Sequence, residues 1–311
     1  MSMPGKSFTG KLPPLTEQER DVSHRLQQHV QILAGEIGER NVWTPRALNA
    51  AAAHIRQTLV LHGYSPTDQT YRVDGVEVAN IDVEIRGTTK ADEIIVIGAH
   101  YDSVRGCPAA NDNGSGVAAM LEMARMMQND TPARTIRFVA FVNEEPPFFH
   151  TEQMGSLVYA RRCKERGEKI VGMISVETIG CYSDEKGSQN YPFPFSLFYP
   201  SRGNFIAFVA NNASRKWLNA CIGTFREQTQ FPSEGAAMPE NVTGVGWSDQ
   251  WSFWQSGYPA LMVTDTAPFR YAHYHEPSDT PDKIDYDRTA RVTVGLTRVV
   301  RELANAQSQS D

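Results

Sequence analysis

The chain has 311 residues, 41% hydrophobic and 21% charged, which is the composition of a globular protein and excludes a disordered, collagen-like or coiled-coil chain. That length suits one large domain or two small ones. A net charge of −6, with no run of lysine or arginine, removes the positive footprint of a nucleic-acid binder, and no apolar stretch approaches the ~20 residues of a membrane span.

Residues 1–16, rich in Pro, Gly and Ser, read as an arm lying on the surface. Met1 to Leu15 carry Lys6 and Lys11 but no apolar h-region, so the expected location is cytoplasmic, or that of a trimmed secreted or periplasmic form. Leu48, Ala52, Ile55 and Leu59 form one helical stripe. Ile81 to Ile85 alternates apolar and acidic residues like an exposed edge strand, which predicts an antiparallel portion of the sheet. Glu93 to Ala99, Thr135 to Asn143, Met173 to Val176 and Pro259 to Thr264 have the length and β-branched or aromatic content of buried strands.

Gly116 to Met127 has helical spacing between the first two of these runs, and a further helix is expected after Met154. Strand alternating with helix is the α/β pattern, so the expectation is a mixed, largely parallel central sheet flanked by helices. Ser188 to Gln250 has weak periodicity and reads as loops elaborating that domain. Val292, Leu296, Val299 and Leu303 repeat the helical stripe, and 306–311 reads as a polar tail. The four cysteines, Cys107, Cys163, Cys181 and Cys221, lack CxxC spacing and are expected to be free thiols.

In open α/β sheets ligands gather beyond the carboxyl ends of the strands. The first apolar run exits into His100-Tyr101-Asp102, the second into Glu144-Glu145 and the third into Glu177. A glycine-permissive turn adds Asp112, and His275 follows late in the chain. Two histidines and several carboxylates on one rim repel unless a cation joins them, and zinc is the commonest metal with nitrogen and oxygen ligands of this kind. HExxH is absent, which disfavours a helix-borne single-zinc protease. His24, His29, His54 and His62 belong to helical segments and read as packing or surface residues, whereas His273, two before His275, competes for the ligand role on spacing.

GAHYDS at Gly98 to Ser103, NDNGSG at Asn111 to Gly116, NEE at Asn143 to Glu145, MGS at Met154 to Ser156, ETIG at Glu177 to Gly180 and HEPSDTPDKID at His275 to Asp285 occur in that order. The set resembles the co-catalytic di-zinc aminopeptidase family over roughly Val30 to Val300. That family includes bacterial leucyl-type aminopeptidases and is related to glutamate carboxypeptidases, transferrin receptors and glutaminyl cyclases.

The resemblance implies a single zinc-exopeptidase-like catalytic domain over 17–305 that holds two zinc ions and removes N-terminal residues from peptides. His100 and Glu177 would be terminal ligands of one zinc, Glu145 and His275 of the other, and Asp112 would bridge them. Asp102 would orient the His100 imidazole, and Glu144 would be the general base. Tyr274 stands where a tyrosine of some relatives donates to the oxyanion, with packing as its plain reading. The pattern also implies strain, up to cis geometry, at the Asp112–Asn113 peptide.

Two positions depart from the family pattern: Glu177 where Asp is common, and Gln250, which follows Ser248-Asp249 where relatives commonly have the histidine of Ser-Asp-His. Phe148, Phe149, Trp251, Phe253 and Trp254 are candidates to line a side-chain pocket. A carboxypeptidase or dipeptidase of the same fold would need a cationic clamp, for which Arg105, Arg202 and Arg270 are candidates. The same framework of residues also occurs in mono-zinc glutaminyl-cyclase-like acyltransferases, and the fold without its ligands serves as a non-enzymatic binding domain.

Overall fold

The computed structural model describes residues 3–306. In chain order the elements are α1 (Glu17–Val30), α2 (Pro45–Leu61), β1 (Thr67–Val73), β2 (Val76–Ile85), β3 (Lys90–His100), α3 (Gly116–Met127), β4 (Arg134–Phe141), α4 (Gly155–Glu165), β5 (Lys169–Glu177), β6 (Ile206–Asn211), α5 (Arg215–Gln228), β7 (Ser233–Met238), α6 (Gln250–Gln255), β8 (Ala260–Thr264), α7 (Ala267–Arg270) and α8 (Tyr286–Asn305). The strands form one sheet in the order β1-β2-β4-β3-β5-β8-β6-β7. Its centre, β4-β3-β5-β8, is parallel, and β1, β2 and the β6–β7 pair join it through antiparallel contacts.

The central strands are buried on both faces, which is why they read as continuous apolar runs. On one face lie α1, α2, α3, α5 and α8, and α3 is covered almost all round because α1, α2 and α8 close over it. The α2 stripe buries Leu48, Ala52, Ile55 and Leu59 as its spacing predicts; each such Leu or Ile contributes about 1.5–3 kcal/mol of apolar burial. A second cluster, including Val96, Phe141, Tyr159 and Phe253, fills the space under α4 and α6.

Helix α1 begins at a capping box. Thr16 Oγ1 accepts the Glu19 amide at 3.2 Å, and the Glu19 carboxylate accepts the Thr16 amide at 2.7 Å. Before it, the chain is tied down by Ser7, whose hydroxyl accepts the Ser233 amide at 2.9 Å, and by Pro4, whose carbonyl accepts from Arg226 at 3.1 Å.

Two expectations about the sheet are corrected. Ile81 to Ile85 is not an edge, because β2 sits between β1 and β4; its acidic residues Asp82 and Glu84 pair with Arg162 and Arg137. Ser188 to Gln250 is not loop throughout, since it contributes β6, α5 and β7 and extends the sheet by two strands. Its polar and small residues hid a regular period. Except for Ala306, the tail lies outside the described residues. The four cysteines are free.

Candidate metal centre

Parallel strands put their carboxyl ends on one rim, and the chain exits there at His100 from β3, at Asn143 to Glu145 after β4 and at Glu177 from β5. The Ala110–Ser115 loop crosses the same rim before α3, and His275 arrives from the segment after α7. Ala109, Asn143, Thr178 and His275 all adopt left-handed backbone angles around this rim, a concentration of strain that a functional site commonly shows.

The side chains form two trios that share one residue. His100, Asp112 and Glu177 make the first, with His100 Nε2 at 3.3 Å from Asp112 Oδ1 and 3.2 Å from Glu177 Oε2. Asp112, Glu145 and His275 make the second, with His275 Nε2 at 3.0 Å from Asp112 Oδ2 and 3.3 Å from Glu145 Oε2. Each trio therefore takes a different oxygen of Asp112. Glu144 belongs to neither; its Oε2 lies 3.8 Å from His100 Nε2.

A divalent cation suits both trios. Zinc bonds of about 2.0–2.1 Å in a tetrahedron set neighbouring ligand atoms ~3.3 Å apart, the separation seen here. The electrostatics point the same way. Burial, reinforced by Asp112, pushes Glu145 up to about 7, and burial likewise raises Glu177 and Glu144. His275 rises to about 10 because Asp112 and Glu145 outweigh its burial, and the surrounding carboxylates raise His100 in the same way. A cation bound at either trio would hold these groups in the form that ligates it, the carboxylates ionised and the imidazoles neutral.

The loop carrying Asp112 is stapled by residues on either side. Asp279 accepts the backbone amides of Asn111 at 2.9 Å and Asp112 at 3.1 Å, and the Tyr271 hydroxyl at 2.7 Å. Asn113 accepts from the Gly116 and Thr178 amides and donates to the Val176 carbonyl and to Glu177 Oε2. A Cβ at Gly116 would lie 2.2 Å from that carbonyl, so the start of α3 packs here only as glycine. The Asp112–Asn113 peptide is cis.

Asp102 lies 3.5 Å from His100 Nδ1, and its two oxygens accept the Glu144 and Glu145 amides, each at 3.1 Å. It thereby couples the His100 loop to the Glu-Glu pair. Tyr274 stacks on His275 with ring centroids 3.9 Å apart, and burial plus the nearby carboxylates, Asp112 first, raise its hydroxyl. His273 is in neither trio; it bonds Ser278 at 2.8 Å. Cys107 is buried, which pushes its thiol up to about 12, and its Sγ lies 3.0 Å from the Glu276 carbonyl.

Sequence reasoning assigned no role to three residues that shape this site. Ser248 donates to Glu177 Oε2 at 2.7 Å. Arg40, fully buried, donates to five main-chain carbonyls, among them Tyr101 and Ala109 at the two ends of the loop between His100 and Asp112. Asp279 is the third; the Asp-Thr-Pro signal flagged it without its function. Gln250 is buried and donates to the Val245 carbonyl at 3.0 Å.

Beside Glu177 and Tyr274 opens a cavity that spans about 870 Å³ of space, part of it open to solvent, walled by Tyr191, Phe195, Tyr199, Phe205, Trp247 and Phe269 among others. The five aromatic candidates from the sequence are not among its lining residues. Phe253 and Trp254 are core, Phe148 is buried against Trp43, and Phe149 and Trp251 sandwich His150. Among the described residues, no arginine, lysine or histidine lines the cavity. Arg270 is committed to Gln189 and to the carbonyls of Cys181 and Phe205, Arg202 to the Asp184 carbonyl, and Arg105 lies over Trp43.

Residues 80–300 match the model of peptidase family M28. The chain is 36% identical over 286 residues to the uncharacterized protein YfbL of Escherichia coli (strain K12), covering 88% of this chain and 85% of that protein. It is 28% identical over 231 residues to the probable leucine aminopeptidase 1 of Trichophyton verrucosum (strain HKI 0517), covering 69% of this chain and 56% of that one. Among solved structures, BSAP, a zinc aminopeptidase from Bacillus subtilis, superposes with a TM-score of 0.72 at 15% identity, over 93% of this chain and 96% of that chain. Fimbriiglobus ruber glutaminyl cyclase does so with a TM-score of 0.63 at 20% identity, over 94% of this chain and 98% of that chain. The structural likeness is one of fold, and the length and identity of the sequence matches carry the assignment further: the chain belongs to peptidase family M28.

Proposed function

We propose that this M28 peptidase is a di-zinc aminopeptidase that removes N-terminal residues from peptides. His100, Asp112 and Glu177 would hold one zinc and Asp112, Glu145 and His275 the other. The pair, when bound, supplies Lewis acidity that acidifies water and offsets negative charge on the scissile carbonyl oxygen. Glu144, close to both trios and part of neither, is the group placed to take a proton from water and return it to the leaving amine. Burial, with Glu177 and Glu145 adding repulsion, raises its pKa, which makes it a stronger base toward water than an exposed carboxylate. Asp102 holds this base in place through its backbone amide. Tyr274, against His275, is the residue for a hydrogen bond to the oxyanion.

One observation favours the amino end of the substrate over the carboxyl end. Among the described residues no basic side chain lines the cavity beside the trios, so it provides no clamp for a terminal carboxylate.

Elemental analysis for zinc, with hydrolysis of matched Nα-free and Nα-blocked peptides, tests the reading. Two zincs per chain and cleavage of only the free peptides are expected. Release of C-terminal residues would replace it with a carboxypeptidase, and one zinc with cyclisation of N-terminal glutamine but no hydrolysis would replace it with a cyclase.

A further inference from the structure

We propose that Glu234 is a specificity-determining residue that selects peptides with a basic N-terminal side chain, lysine or arginine, by receiving its cationic end at the far side of the cavity. The inference rests on the aminopeptidase reading and adds the class of substrate to it.

The sheet register places the two ends of the cavity. Glu177 on β5 pairs with Thr264 on β8, Thr264 with Ala207 on β6, and Ala207 with Glu234 on β7. Register partners share a face of a sheet, and all four of these residues line the cavity. The row therefore forms its floor: a glutamate in the first metal trio, two small side chains, and a second glutamate. Three strand spacings of about 4.8 Å separate the Cα atoms of the two glutamates by about 14 Å. Side chains stand roughly perpendicular to a sheet, so the two carboxyl groups keep about that separation, and the side chain of an N-terminal residue whose carbonyl lies at the trios has what remains beyond its Cα. A lysine stem, which extends about 6 Å from its Cα, fills that interval, and a leucine leaves its far end empty.

The surroundings of Glu234 fit a cation. Tyr191, Phe195 and Tyr199 stand over the cavity from the 191–199 segment, with the two tyrosine rings 5.7 Å apart, and aromatic faces attract ammonium and guanidinium groups. Burial and then the Glu234 charge raise the Tyr199 hydroxyl, which marks the carboxylate as its neighbour.

Among the described residues, the basic group that bears on Glu234 is Arg226, which donates to the Ser233 hydroxyl and carbonyl and to the Pro4 carbonyl. Glu234 is half-buried, and burial raises its carboxyl, so a cation arriving in the cavity would supply the missing partner. A charge on an edge strand is an ordinary guard against strand pairing. Such a guard works pointing outward, whereas Glu234 shares the face that floors the cavity.

The test compares zinc-supplied wild type and Glu234→Gln on the aminomethylcoumarin amides of lysine, arginine, leucine and norleucine, the last being lysine without its ammonium group. Wild type is expected to show kcat/KM for lysine at least about tenfold above norleucine, and Glu234→Gln to lower that ratio about tenfold. A wild-type ratio at or below one, or the same ratio in both proteins, overturns the proposal. If none of the four is hydrolysed, the aminopeptidase reading fails. The pocket is then judged by calorimetry with lysine amide and norleucine amide: about tenfold tighter binding of lysine amide, lost in Glu234→Gln, sustains it, and equal affinities overturn it.

Discussion

Ser248 donates its hydroxyl hydrogen to Glu177 at 2.7 Å and lies 3.0 Å from the Ser175 hydroxyl, so a buried hydroxyl pair steadies a carboxylate of the first trio. Ser175 sits within β5 and Ser248 just before α6, so the pair also ties β5 to the segment that leads into α6.

Removing that hydroxyl tests its role. Ser248→Ala is expected to lower zinc affinity at the His100 trio by about 10- to 100-fold, the usual effect of losing a bond to a ligand. Asn113 still donates to Glu177 at 3.3 Å, so the site should weaken rather than vanish. Chelator competition measures the change, and an unchanged affinity would make Ser248 a packing residue only.

The division of labour between the adjacent glutamates gives a second prediction. Glu144→Gln keeps the volume and the backbone bond to Asp102 but cannot accept a proton. Zinc content should match wild type, with kcat lower by about 10²- to 10⁴-fold. Loss of zinc in this variant would move Glu144 into the ligand set.

Arg40 carries the third. Its guanidinium is fully buried, and burial lowers its pKa while Asp102, first among nearby carboxylates, opposes the shift. Arg40→Met would leave several buried carbonyls without a donor and should cost about 3–5 kcal/mol in urea unfolding of the metal-free protein. Arg40→Lys should recover little of that, because one ammonium cannot reproduce the fork that reaches Tyr101, Pro108 and Ala109 together. Near-wild-type stability of either variant would contradict this.

A fourth concerns acid stability away from the rim. His54 lies 3.2 Å from His29, and burial first, then His29, lowers its pKa from 6.5 to about 4. The folded chain keeps His54 neutral down to about 4 while the unfolded chain protonates near 6.5, so protons favour the unfolded state between those values. This contribution to stability is whole above pH 6.5 and is lost as pH falls toward 4. His54→Gln should therefore flatten the fall of the urea midpoint over that window; an equal fall in both proteins would assign the acid sensitivity elsewhere.

Much of the site was readable because its residues sit where strands end. A strand exit is a local event: an apolar run stops and His100, Glu144, Glu145 or Glu177 follows within a residue or three. Asp112 and His275 were readable as parts of motifs in a fixed order. Arg40 was not, because nothing near it in the chain foretells five carbonyls converging from residues 33–109. The aromatic candidates failed for a related reason. Apolar and aromatic residues serve core and cavity equally, and only packing separates Phe253, in the core, from Phe195, at the cavity.

The sequence by itself determined the α/β class, the central strands, the family and the residue types that meet at the rim, since periodicity and ordered motifs are local or one-dimensional signals. The tertiary structure decided which oxygen of Asp112 faces which trio, that Asp279, Ser248 and Arg40 hold them in place, and that Glu234 shares a floor with Glu177. Those relations depend on sheet register and on contacts between residues distant in the chain, which hydrophobic spacing does not encode.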